Sequence, residues 1–372
     1  MRHLTLVPVA VFAFLVGCGP SADAPSRAQP ARSTASEPCR TECWKVEAGA
    51  EWENLQVFLI RGPSPAEGEA CQEFAESVAR NAVKVREIGG GNDAQVNLLE
   101  FNNGSDSPVF LQAGQIVKGG KQDRALGTDA ILPAHSGRVQ LRTFCVERGR
   151  WTALPGGDAT GFDDFTLPSS ASTGGYFEGV ACIGGPEQRR IIQGEGDQGR
   201  VWNSISLSFS DCPQVSLETA GAAESGLRSS QNYRGIVEAV PVREWSEKCR
   251  AALFARLSAC DDAVGVVFAV NGSLRSADVY RSHALFSKLL SQLLDAASVE
   301  SWLVKAQKAA VQPPATVEEV RKFVDALNVA PGKERPNETG LKSRMHEAGT
   351  DALFEYLDPD SGFWIHRNYL RK

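Results

Sequence analysis

The chain lacks any long block of lysine or arginine, any Gly-x-Ser-x-Gly elbow and any Cys-x-x-Cys pair, and it has five histidines in 372 residues. Without a basic block there is no electrostatic footprint for nucleic acid, so no nucleic-acid partner is expected. Without the elbow, a hydrolase of that type has no nucleophile signal. Beyond His3, the histidines are His135, His283, His346 and His366, with no two at i, i+4. Neither they nor the cysteine spacings give a metal pattern, so no metal and no cofactor is expected. No internal repeat of fixed period occurs. The one long apolar run, Leu4 to Val16, is interrupted by Pro8 and is too short to span a membrane.

That run has another use. Residues 1–17 place Arg2 and His3 before it and small residues after it, the layout of a secretory signal. They lead into Leu15-Val16-Gly17-Cys18, which resembles the lipobox of bacterial lipoproteins. The resemblance implies a mature protein beginning at an acylated Cys18, anchored to membrane lipid outside the cytoplasm, since more than one acyl chain holds stably. Gly19 stands where an aspartate would signal inner-membrane retention, so by that sorting rule the outer membrane is expected if the cell is Gram-negative. Residues 18–43 are expected to form a lipidated tether. The stretch from Gly19 to Pro38 has no aromatic or branched aliphatic residue and should stay disordered, reaching about 25 Å on average.

About 330 residues remain, and 42% of the whole chain is hydrophobic, enough for a substantial core. The formal charge of −6 becomes one unit more negative when Arg2 leaves. Besides Cys18 there are eight cysteines: Cys39, Cys43, Cys71, Cys145, Cys182, Cys212, Cys249 and Cys260. In an oxidising compartment such as the periplasm an even number suggests disulfides, with about 105 connectivities open. Cys249 and Cys260 fall in one helical segment about 16 Å apart, beyond disulfide reach. For Cys145, on the alternating face of Val139, Leu141 and Thr143, a buried free thiol and a bridge are equally good readings.

The fold class is α+β, with a mostly antiparallel or mixed sheet in the first half and packed helices from the second. Strand-like runs lie at 55–60, 83–88, 95–101, 109–112, 130–133 and 138–146. A short helix is expected at 71–80, and residues 154–199 read as long loops. Trp245, Cys249, Leu253 and Leu257 mark an amphipathic helix over 242–260. Asn271-Gly272 predicts a type I′ hairpin between runs 264–270 and 274–280. Ser282 caps a helix whose stripe of Leu285, Phe286, Leu289, Leu290, Leu293 and Leu294 should pack on the sheet. A helix at 317–327, a polar connector at 331–336 and a hairpin of 353–357 with 363–366 follow.

Polar groups crowd the strands most densely between residues 113 and 151. Gly114, Gly119, Gly120 and Lys121 suggest a phosphate loop, but Gln122 stands where Ser or Thr should hold magnesium, and the glycine spacing is wrong. Lys121 and Arg124 offer charge-assisted donors to an anion, Gln122 and Asp123 can fix orientation, and Gly119 and Gly120 allow close backbone approach. The competing reading is a satisfied turn, with Asp123 paired to Arg124 or Arg150 and Glu147 capping the network. Glu178, and the acidic loop of Asp158, Asp163 and Asp164, read as solvated surface.

Two stretches carry a resemblance. Gly120-Lys121-Gln122-Asp123-Arg124 resembles a Gly-x-Lys-Gln-Asn-Arg signature, and Cys145-Val146-Glu147-Arg148-Gly149-Arg150-Trp151 resembles Cys-Val-Glu-x-Gly-Arg-Trp. Both signatures belong to the ADP-ribosylglycohydrolase (ARG) and rhodanese-phosphatase-superfamily-associated protein domain family. The resemblance covers residues 44–297, leaving 298–372 as a helical extension and C-terminal hairpin packed on the main domain. It implies a fold more than a function, because the family takes its name from its neighbours. Two function classes follow. One is a non-catalytic binding or interaction module whose Lys121–Arg124 turn recognises an anionic small molecule or a protein partner. The other is a hydrolase acting on a nucleotide or ADP-ribose-like substrate, with Glu147 or Asp123 as general base and Lys121, Arg124 and Arg150 stabilising negative charge.

Overall fold

The structure is a computed structural model, and it describes residues 44–64, 71–88, 95, 97–148, 177–211, 231–336 and 340–372. Asn271 and Gly272 adopt φ of 49° and 77°, the left-handed pair that a type I′ turn requires. They join strands Ala263–Val270 and Ser273–Tyr280. Around this hairpin grows an eight-stranded antiparallel sheet. Lys45–Trp52 and Leu55–Arg61 pair on one side of it, and Trp364–Leu370, Asp351–Leu357, Lys342–Ala348 and Gly332–Arg335 extend the other.

Ala263–Val270 is buried at every position, because the sheet is covered on both faces. On one face, helix His283–Ala306 sets Leu285, Phe286, Leu289, Leu290 and Leu293 against Leu55, Val57, Val266 and Phe268. Ser282 caps this helix by accepting from the Leu285 amide. Helix Val240–Ser258 adds Cys249, Leu253 and Leu257 to the same core. On the other face, helix Val317–Val329 packs Val320, Phe323, Val324 and Leu327 against Phe58, Val267, Leu353 and Tyr369. Its start is a capping box between Thr316 and Glu319.

A second, six-stranded antiparallel sheet has the order Phe177–Ile183, Gln115–Gly119, Arg124–Leu126, Val139–Cys145, Leu98–Asn103 and Val83–Glu87. Helix Phe74–Ala79 closes one side of it through Phe74 and Val78. Helices Gln198–Asp211 and Tyr233–Glu238 contribute Val201, Ile205, Tyr233 and Ile236 to a further core with Ile116 and Phe144.

The α+β expectation holds, but several local readings are corrected. Residues 177–199 are not a long loop. They form strand Phe177–Ile183, helix Pro186–Arg190, a π-helical turn, Ile191–Glu195, and the start of helix Gln198–Asp211. The polar connector at 331–336 contains the edge strand Gly332–Arg335, which pairs with a further strand, Lys342–Ala348. The C-terminal residues are part of the main sheet, since Ser276 to Tyr280 pair with Leu370 to His366.

The disulfide expectation is not met at Cys182, Cys249 and Cys260, which are free thiols, and of the two readings for Cys145 the structure shows the buried free thiol. Cys145 and Cys249 are wholly buried, where a thiol packs as a small apolar group. The Cys145 thiol also donates to the Glu147 carbonyl at 2.9 Å. Cys18, Cys39, Cys43 and Cys212 lie outside the described residues, as do the signal and the tether.

Candidate functional site

The Lys121–Arg124 turn faces the interior. Gln122, Asp123 and Arg124 are buried, and so is Glu147. Asp123 Oδ1 accepts from the Gly119 amide at 3.1 Å, and Oδ2 accepts from Asn232 Nδ2 at 2.9 Å and Arg234 Nε at 2.7 Å. The Asp123 amide donates to Glu147 Oε2 at 3.2 Å. Gln122 Nε2 donates to the Glu147 carbonyl at 3.0 Å, while its Oε1 accepts from Arg124 Nη1 at 3.0 Å. Arg124 Nη2 lies 3.8 Å from Glu87 Oε1.

The two signature stretches therefore meet. Cys145 pairs with Arg124 across the sheet, and the Val146 amide donates to the Asp123 carbonyl at 3.1 Å. Asp123 takes Arg234 as its ion partner, not Arg124, and Arg150 lies outside the described residues. The close approach at Gly120 is to the protein itself: at φ 52°, an added Cβ would sit 2.7 Å from the Phe177 ring and 2.8 Å from Glu87 Oε1.

The strand that leaves this turn, Arg124–Leu126, leads through Gly127 and Thr128 into the wall of a cavity of about 160 Å³. Two guanidinium side chains face it: Arg142 from the six-stranded sheet and Arg335 from the edge strand of the larger sheet; Arg344 borders it through its strand, its side chain lying on the opposite face beside its cross-strand neighbours Glu334 and Glu355. Gln193, Phe354 and Tyr356 complete the inner wall. Arg142 Nη2 donates to the Gly196 carbonyl at 3.2 Å and its guanidinium lies over the Phe144 ring. Arg335 Nη1 donates to the Gln193 carbonyl, and its guanidinium lies over Phe354. Arg344 stands 3.7 Å from Glu334 and 3.8 Å from Glu355. Glu355 is already gripped by Arg367, Nε to Oε1 at 2.7 Å.

Gln193 belongs to the π-helical turn, a device common at functional sites. Its side chain is buried, accepting from Tyr356 OH at 2.8 Å and donating to Asn368 Oδ1 at 2.9 Å. Behind it runs a buried charged network. Asp278 Oδ1 accepts from Arg189 Nη1 at 2.7 Å, Asn368 Nδ2 at 2.9 Å and Gln112 Nε2 at 3.0 Å. His366 bridges two carboxylates, with Nδ1 2.7 Å from Asp129 Oδ2 and Nε2 3.3 Å from Asp278 Oδ1. Its ring stacks on Tyr280 at 4.5 Å.

Burial disfavours the His366 imidazolium, but Asp129 and Asp278 more than offset this and raise its pKa to about 9. Burial likewise pushes the Asp278 carboxyl up, and Arg189 and His366 reverse the effect, leaving it below the usual aspartate value. The other histidines have structural partners: His135 with Asp106, His283 with the Ala263 carbonyl, and His346 with the Ala330 carbonyl. Among the described residues, no group of three or more His, Cys, Asp or Glu side chains is placed to hold a metal ion.

Arg142, Gln193 and Arg335 escape a reading of the sequence, because they come from separated segments and no local motif joins them. Asn232 and Arg234 escape it for the same reason, although Asn232 is a recognisable helix cap, accepting from the Arg234 amide.

No curated protein and no solved structure matches the chain. The family model of the ARG and rhodanese-phosphatase-superfamily-associated protein domain matches residues 44–370. That span takes in both signature stretches, the arginine-lined cavity and the C-terminal strands, so the chain belongs to this domain family.

Proposed function

We propose that the protein is a lipid-anchored, extracytoplasmic binding protein whose ligand is a small anion, held in the cavity between Arg142 and Arg335. The observation that carries this reading is the convergence of two guanidinium groups on one cavity with no carboxylate among its described lining residues. The Lys121–Arg124 turn serves the cavity from behind, fixing the strand that delivers Gly127 and Thr128 to its wall.

Binding is favoured over hydrolysis by the surroundings of the two candidate bases. A general base must reach the proton it removes. Asp123 and Glu147 are fully buried, and their oxygens accept from amide, carboxamide and guanidinium donors of the protein. The anchor rests on the lipobox-like stretch ending at Cys18 and on the expected export signal. Among the described residues no helix is long and apolar enough to cross a membrane.

Thermal-shift screening of anionic metabolites tests the site. Wild type should be stabilised by at least one anion, and Arg335→Ala should lose that response. Equal responses from wild type and Arg335→Ala would count against the cavity. Labelling with a fatty-acid analogue should mark the wild type and not Cys18→Ala, and label retained in the variant would remove the anchor.

A further inference from the structure

Resting on the anion-binding reading above, we propose that the cavity recognises a phosphomonoester, gripping its phosphate group with Arg142 and Arg335 and seating a short organic portion against Phe354. The charge balance points to a dianion. Among the described residues, no carboxylate lies within ion-pair distance of Arg142 or Arg335, whose contacts are to the carbonyls of Gly196 and Gln193. Arg344 shares its charge with Glu334 and Glu355 at 3.7 Å and 3.8 Å. Arg142, which is exposed, and Arg335 thus present two guanidinium charges to an anion. A phosphomonoester carries close to two negative charges at neutral pH, because its second pKa is about 6, whereas a simple carboxylate carries one.

Shape agrees with charge. Guanidinium groups present paired donors that suit the oxygens of a phosphate. The rings of Phe144 and Phe354 and the two backbone carbonyls hold Arg142 and Arg335 before a ligand arrives, so less side-chain freedom is lost on binding. A cavity of about 160 Å³ has room for on the order of ten non-hydrogen atoms, taking about 15 Å³ for each water-sized occupant. Phosphate and a three-carbon substituent fit that limit. Ile192, Pro336 and Phe354 give the substituent an apolar wall.

Isothermal titration of the full chain with inorganic phosphate, glycerol 3-phosphate and acetate tests the assignment. Glycerol 3-phosphate should bind at least about tenfold more tightly than acetate, and inorganic phosphate should bind at the same site. Arg335→Lys keeps the charge but loses the paired donors, and should weaken glycerol 3-phosphate by about tenfold, as expected for one charge-assisted hydrogen bond. Arg142→Lys, at an exposed position, serves as a second variant should Arg335→Lys melt abnormally, and should also weaken binding. Acetate binding as tightly as the phosphates would overturn the phosphomonoester assignment and leave the anion-binding reading standing. A cooperatively melting wild type that binds none of the three would overturn both.

Discussion

Asp123 stands where the family signature has asparagine, and the difference is one of charge. As a carboxylate it accepts from Gly119, Asn232 and Arg234 at once, and the Arg234 guanidinium supplies the countercharge that an interior aspartate needs. His366 shows the same logic with a titratable partner. Its folded pKa, raised to about 9, lies above the ordinary value of about 6.5. The protonated ring therefore contributes stability that is fully present below about pH 6.5 and is lost as pH rises through about 9. The contribution is on the order of 3 kcal/mol. Urea unfolding across this range should show stability falling between those two pH values, and His366→Gln should flatten the fall. A wild-type profile that stays level there would contradict a charged His366.

At the scale of elements, the π-helical turn Ile191–Glu195 shapes one wall of the cavity. It ends at Gly196, whose φ of 64° suits glycine and whose carbonyl holds Arg142. A Cβ there would lie 2.5 Å from Arg142 Nη2. Gly196→Ala should displace the Arg142 guanidinium and weaken anion binding, at a stability loss of about 1 kcal/mol for the left-handed backbone. Calorimetry and unfolding on the same variant separate the two effects, and unchanged anion affinity would remove Arg142 from the site. The elements that are legible in the sequence have strong local signals: Asn271-Gly272 for the central hairpin, the leucine stripe for helix His283–Ala306, and Pro359 with Gly362 for the last hairpin. Gly332–Arg335 carries no such signal, since its Lys333 and Glu334 are exposed on an edge and show no apolar alternation. The π turn has no sequence pattern that distinguishes it from a short helix.

At the scale of the whole molecule, the candidate site exists only because two sheets meet. Arg142 comes from the smaller sheet, Arg335 from the far edge of the larger, and Gln193 from the π-helical turn. The family signature is legible because its residues are close along the chain. The site arginines are not, because only tertiary packing brings residues 142, 193 and 335 together. Anomalous scattering from crystals soaked in tungstate, a tetrahedral dianion, tests this placement most directly. The account predicts one strong peak between Arg142 and Arg335; a peak at the Lys121–Arg124 turn with none in the cavity would contradict it.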